Sequence, residues 1–397
     1  MLPNNQITLL QNGAAFFPVL EAALDRAQHE IYLETYIFEN DNTGKRIAEA
    51  LKRAALRGVN THLMIDGFGS LGLSKTVLDH LRAAGVKVFI FRPKTSPWTL
   101  RRRRLRRLHR KIGVVDQTIA FVGGINIIDD NNVPGQPSTR FDFAVRVEGP
   151  LVKAIRASAR QVWLRVAWTR WRHGWKRDDD RHVAAVEPKG LMKAGFLVRN
   201  NIRHRRDIED AYLQAIQRAR SDIMIANAYF LPGLNFRRAL VDAAGRGVRV
   251  VLLLQGRIHH RLLHYASHAL YRSFLAAGIE IHEYHRSMMH AKVAVIDTQW
   301  ATVGSSNLDP FSLLLALEAN IVIEDEVFAK QLQQSLKQAI EMGARRIAEN
   351  NWRTTSNWLR IASWLSYGLV RFMVGIAGYA PGNPPGRATP IDTQFER

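Results

Sequence analysis

The stretch HRKIGVVD at residues 109–116 returns, with its His, Lys and Asp kept, as HAKVAVID at residues 290–297. After six intervening residues, each copy reaches a glycine-rich turn, GGIN at 123–126 and GSSN at 304–307. A short apolar run bounded by polar and turn residues predicts a buried strand. The likeness extends upstream: IYLETYIF at 31–38 is matched by IMIANAYF at 223–230, THLMID at 61–66 by VRVVLLL at 248–254, and AAGVKVFIF at 83–91 by AAGIEIHEY at 276–284. Amphipathic helical stretches separate these runs, two of them closing on Arg57-Gly58-Val59 and Arg246-Gly247-Val248. Because the order is kept throughout, the chain reads as one unit used twice.

Strands alternating with helices predict an α/β protein of two similar α/β/α lobes from an internal duplication, each with a mixed, mostly parallel sheet flanked by helices. The lobes are expected at 1–150 and 191–345, joined by a basic, Trp-rich segment at 151–190. An amphipathic helix at 346–380 and a disordered tail at 381–397 complete the expected organisation.

With 397 residues and 47% apolar content, each lobe can bury a proper core. The 56 Lys and Arg against 35 Asp and Glu leave a formal charge of +21, which favours polyanionic partners such as nucleic acid or an anionic membrane. With no cysteine, disulfides, thiolate metal sites and cysteine nucleophiles are excluded. The N-terminus has no secretory pattern, and no run reaches the ~18 apolar residues of a membrane span, so a cytoplasmic protein lying on a membrane is expected.

Residues two apart on a strand face the same side, so His109 points with Lys111 and His290 with Lys292. An imidazole and an ammonium aimed at one point suit a phosphoryl group. The lysines can neutralise its oxygens, and Asn126 and Asn307 can donate hydrogen bonds as charge grows. Gly123, Gly124 and Gly304 are expected to let backbone and substrate approach closely.

These paired motifs resemble the His-x-Lys-x4-Asp signatures of the phospholipase D superfamily, over roughly residues 5–345. The stretches ETYIF, GGINIIDD, ANAYFLPG and VGSSNLDPFSLLLALEAN look more narrowly like bacterial cardiolipin synthases, and among these the B type, which lacks N-terminal membrane helices. The resemblance implies an active site at the lobe interface and a ping-pong transfer, with His109 as nucleophile and His290 as acid and base. It also implies that Glu318 reaches across to His109 and Asp142 to His290. Asp116 and Asp297 complete the catalytic motifs, with a supporting part favoured for them, and Ser305 matches the family's Gly-Ser turn while the first copy has Gly124. No cofactor or metal is implied. A weaker reading places zinc on His260, His264 and His268, one helical face, against the simpler reading of a basic exposed face.

The superfamily also contains nucleases, and the arginines at 101–107 would suit nucleic-acid phosphates. Two features favour lipid. Trp163, Trp168, Trp171 and Trp175 interleave with basic residues between 153 and 177, as rings and cations do at headgroups. In the C-terminal helix, Arg360, Ser363, Tyr367 and Arg371 share one face, with Trp358, Ile361, Trp364, Leu365, Leu369 and Phe372 around the rest. The expected partner is therefore an anionic phospholipid membrane bearing phosphatidylglycerol and cardiolipin, not nucleic acid. The expected location is peripheral, on the cytoplasmic face of the bacterial cell membrane. The expected reaction moves a phosphatidyl group from one phosphatidylglycerol to another and releases glycerol; hydrolysis, another phosphatidyl transfer, and nuclease action are the alternatives.

Overall fold

The computed structural model describes residues 1–93, 106–132, 139–170, 187–200, 204–258, 261–309, 316–348 and 357–376. The first half runs β1 (Leu2–Gln11), α1 (Asn12–Arg26), β2 (Glu30–Thr35), α2 (Asn42–Leu56), β3 (Asn60–Asp66), α3 (Lys75–Ala83), β4 (Lys87–Phe91), β5 (Arg107–Leu108), β6 (Lys111–Val115), β7 (Ile119–Gly123) and β8 (Phe143–Glu148). Helix α4 (Leu151–Arg170) leads to the second: β9 (Met192–Arg199), α5 (Asp207–Arg218), β10 (Asp222–Asn227), α6 (Leu234–Gly245), β11 (Arg249–Gln255), α7 (Arg261–Ala276), β12 (Glu280–Tyr284), β13 (Lys292–Ile296), β14 (Trp300–Gly304) and β15 (Ala316–Glu324). Then come α8 (Glu326–Gly343), β16 (Ala344–Ile347) and α9 (Asn357–Ile376).

The described strands form one continuous sheet in the order β16-β12-β11-β10-β13-β14-β15-β9-β1-β8-β7-β6-β2-β3-β4, with β5 beside β15. The expectation of mostly parallel halves needs correction. Within each half, parallel pairing is confined to β2, β3 and β4 and to β10, β11 and β12, whereas the motif strands β6 and β13 have antiparallel neighbours on both sides. The cause is turn length. Residues 116–118 and 297–299 are all that joins β6 to β7 and β13 to β14, and so short a link can make only a hairpin, since a parallel crossover needs a dozen residues or more.

Alternation along the strands builds three cores. In β2, Ile31 and Leu33 pack under α1 and α2, while Tyr32 faces the opposite side. Helices α5, α6 and α7 cover the second half in the same way. The opposite face carries α4 and α8, and there Ile155 and Trp163 of α4, Leu332 and Leu336 of α8, and strand residues from both halves share one cluster. This common core ties the lobes together, which suits a site built across their junction.

Two sequence expectations change here. Leu151, Ile155, Ala159 and Val162 make α4 a packing helix, so Trp163 is a core residue, stacked on Phe89 with ring centroids 4.3 Å apart. Trp168 is 75% exposed, and Trp171 and Trp175 lie outside the described residues. The histidine run on α7 is not a basic exposed face either: His268 is buried, its Nε2 2.8 Å from Glu283 Oε1, beside Tyr271. His260 lies outside the described residues.

Candidate active site

Both motif histidines are delivered by the same construction. Strand β5 pairs in parallel with the start of β15, and His109 N–H donates to the Leu317 carbonyl at 3.0 Å. In the twofold-related place, Phe141 and Met289 form a parallel bridge, and His290 N–H donates to the Phe141 carbonyl at 2.8 Å. Each histidine is thus stitched to the strand whose next residue is an acid of the other lobe. His109 Nδ1 lies 2.9 and 3.1 Å from the two Glu318 oxygens, and His290 Nδ1 lies 2.7 Å from Asp142 Oδ2. The pairing is crossed. The two imidazole rings are 6.4 Å apart between centroids, and their side chains keep 15% and 14% exposure above otherwise buried partners.

An imidazole donating from Nδ1 to a carboxylate keeps its lone pair on Nε2, the form needed to attack or to accept a proton. Burial, helped by Lys111 and Lys292, holds His109 below the ordinary imidazole range despite the opposing pull of Glu318. His290 is held well below it by burial, then by Lys292, Lys111 and His109. The acids differ. Glu318 is buried, yet His109, Lys111 and the Ser305 hydroxyl keep it below the usual carboxylate range. Asp142 is pushed up to about 6 by burial, which Lys292 and the Phe143 N–H only partly offset.

Lys111 and Lys292 share the site, and each ammonium donates to the carbonyl of its own motif histidine, Lys111 at 2.6 Å. Burial lowers them to about 7 and about 8. Two buried cations whose ammonium charge burial disfavours would gain from an arriving phosphodiester anion. Asn126 is buried and accepts from Ile37 N–H at 3.0 Å, tying the exit of β2 to the first glycine-rich turn; Asn307, its counterpart, is equally buried. The glycines serve the framework: a Cβ on Gly124 would sit 2.3 Å from Asp142 Oδ1, and one on Gly304 2.2 Å from Asn320. Their close approach is to Asp142, the partner of His290, and to Asn320 of β15.

Asp116 and Asp297 are not brought into this cluster. They follow the far ends of β6 and β13, about 16 Å along the strand from the motif lysines at ~3.3 Å per residue. Asp116 accepts from the N–H groups of Gln28, His29 and Glu30 at 2.7–3.0 Å, and Asp297 from those of Arg220, Ser221 and Asp222 at 2.8–3.0 Å. Each fixes the start of the strand beside its motif.

Several site residues escaped the sequence reading. The Tyr36 ring lies 4.9 Å from His109 and faces Lys111, and Ala228 takes its place in the second lobe. Asp66 accepts from Leu108 N–H at 2.8 Å, and Gln255, at the matching end of β11, accepts from Met289 N–H at 3.1 Å with its amide oriented so that both ends are satisfied; both anchor the residue before a motif histidine. Arg110, which reads in sequence as part of a basic run, is buried and forks onto Glu34 and Ser158. Comparing the two copies could have exposed it, because Glu34 and Arg110 are replaced together by Ala226 and Ala291.

A continuous sheet carrying two crossed histidine–acid pairs and two lysines at a pseudo-twofold junction defines a two-lobed phosphoryl-transfer enzyme. The family described as "Cardiolipin synthase, PLD-like domain" matches residues 20–163 and 212–340. Cardiolipin synthase B of Shigella flexneri is 38% identical over 391 residues, 98% of this chain and 93% of the relative, and that of Escherichia coli K12 is 38% identical over 384 residues, 96% and 91%. A phosphatidylserine synthase structure from Haemophilus influenzae shares the fold with a TM-score of 0.64 at 14% identity, covering 93% of each chain. The chain belongs to the cardiolipin synthase family of the phospholipase D superfamily, a family of phosphatidyltransferases.

Proposed function

We propose that this enzyme makes cardiolipin from two molecules of phosphatidylglycerol through a phosphohistidine. The observation that carries the proposal is the crossed pairing, which orients two imidazoles by their Nδ1 atoms with two lysines beside them. In the first step His109 Nε2 attacks phosphorus, the bond from phosphorus to the headgroup glycerol oxygen breaks, and His290 gives its proton to that oxygen. Glu318 stabilises the positive charge that arises on His109, as the third member of a triad does. In the second step His290 takes the proton of a hydroxyl on another phosphatidylglycerol, the oxygen attacks phosphorus, and the bond to His109 breaks. The products are cardiolipin and glycerol.

His290 must begin protonated although burial and the nearby cations work against it. The bound phosphodiester supplies the missing negative charge, and Asp142, whose own proton is held to about 6, shares the load. The lysines, protonated once the anion is present, stabilise charge on the phosphoryl oxygens.

Helix α9 supports a membrane as the place of work. It packs on α7 through Ser363 and Val370 and turns Ile361, Trp364, Leu365, Leu369 and Phe372 outward, 49–68% exposed. So large an apolar surface in water is unfavourable by about 25 cal/mol per Å2, and lipid removes that cost. No helix among the described residues is long and apolar enough to cross a membrane. This fits a peripheral enzyme on the cytoplasmic leaflet, whose anionic lipid complements the +21 charge.

Quenching turnover into alkali, where a phosphorus–nitrogen bond survives, and mapping the adduct by mass should locate it on His109. An adduct on His290 would reverse the two roles, and none under single-turnover conditions would remove the covalent step.

A further inference from the structure

Outside the histidine cluster, a cavity of about 140 Å3 opens between α4, the end of β4 and the start of β15. Arg92, Arg106, Arg110, Arg165 and Arg199 line it, together with Ser158 and Gln161, and no carboxylate does among the described residues. The volume admits a phosphate group with a few waters, a water's share being about 30 Å3.

The charges here are unbalanced. Arg110 is already neutralised by Glu34. Arg92 is different: its Nη1 is buried and finds no hydrogen-bond partner among the described residues. Burial and the neighbouring Arg106 and Arg107 all disfavour its charge, and only Asp66 opposes them. The half-buried Arg92 guanidinium cannot shed its proton at ordinary pH, so the cost of its enclosed Nη1 stands until an anion enters. A phosphate would accept from the Arg92 fork and from the Ser158 and Gln161 side chains, with Arg165 at the solvent side.

We propose that this pocket is a second phosphate-binding site, distinct from the histidine centre. Resting on the transferase reading above, the phosphate it takes is that of the acceptor lipid. The substrate chemistry asks for such a site, because a reaction joining two phosphatidylglycerols must hold two phosphodiesters, and the motif lysines serve the one that reacts. The pocket adjoins the histidine centre along the chain, Arg110 following His109 and Leu317 preceding Glu318, with Leu317 and Glu318 on opposite faces of β15.

The test titrates inorganic phosphate against the full-length protein at constant ionic strength, using wild type, R92Q, R165Q and R165K. Two phosphates should bind wild type and R165K, and the affinity of one of them should fall at least tenfold in R92Q and in R165Q. Without phosphate R92Q should be at least as stable as wild type, since it removes a repelled charge; a clear loss of stability would make Arg92 a structural residue and overturn the proposal. Equal phosphate binding in wild type and R92Q would overturn it as well. A lipid arm distinguishes the source. On phosphatidylglycerol vesicles, R92Q should form the phosphatidyl-enzyme at the wild-type rate but divert it from cardiolipin to phosphatidic acid. Weakened phosphate binding with unchanged partition would keep the site and assign it to free phosphate. The phosphate titration stands even if wild type makes no cardiolipin, so the two readings fail separately.

Discussion

The ion pair between Glu34 and Arg110 lies beside His109, and both side chains are only 3% exposed. Arg110 spends two of its nitrogens on Glu34 and also donates to the Ser158 hydroxyl at 2.8 Å and the Ser158 carbonyl at 3.1 Å. Removing one partner leaves the other buried and uncompensated, a change that costs about 3–5 kcal/mol. E34A and R110A should therefore each destabilise by about that amount. The double variant E34A/R110A copies the arrangement that the second lobe already uses, with Ala226 and Ala291 at the same places. It leaves no stranded charge, only lost packing, and should be destabilised by no more than either single variant. A coupling of about 3 kcal/mol or more in a double-mutant cycle, read from denaturant unfolding, is expected. If the double variant instead loses the sum of the singles, the pair is not acting as a unit and the reasoning fails.

Further outcomes follow from the same geometry. The profile of kcat/KM against pH should rise on the acid side below the ordinary imidazole range, because burial holds His109 low; its alkaline fall should begin with loss of the proton on His290, which burial also holds low, and steepen above about 7 to 8 as Lys111 and Lys292 lose theirs. An acid limb above the ordinary imidazole range would contradict this. D116A exposes three strand-start N–H groups to loss of their partner, so it should lower stability by about 1–3 kcal/mol while the folded fraction keeps its kcat within about tenfold; inactivation at full stability would place Asp116 in the chemistry. W364E/F372E should release the protein from phosphatidylglycerol vesicles in a sedimentation assay without changing its fold by circular dichroism, and unchanged sedimentation would remove α9 from membrane binding.

The duplication and the candidate catalytic groups were legible because two copies of one motif, at matched spacing, constrain each other. His109, Lys111, His290, Lys292, Asp142 and Glu318 converge in space although they come from both ends of the chain. Sheet direction was less legible, since apolar runs report burial and not polarity; only the three-residue turns at 116–118 and 297–299 carried that signal. The part played by Trp163 was misread for a similar reason. A Trp among arginines has the same composition on a surface as on the packing stripe of α4, and only the spacing of Leu151, Ile155, Ala159 and Val162 separates the two. Asp66, Gln255 and Tyr36 act through backbone contacts and ring packing that no spacing in sequence encodes.

The most direct test of the central claim is turnover of phosphatidylglycerol vesicles labelled in the headgroup glycerol and, separately, in phosphate, with and without added glycerol, beside H109A and H290A. The account predicts labelled cardiolipin and free glycerol in equal amounts, suppression by added glycerol, and loss of both products in each variant. Phosphatidic acid as the sole lipid product, or cardiolipin formation that glycerol does not suppress, would contradict it.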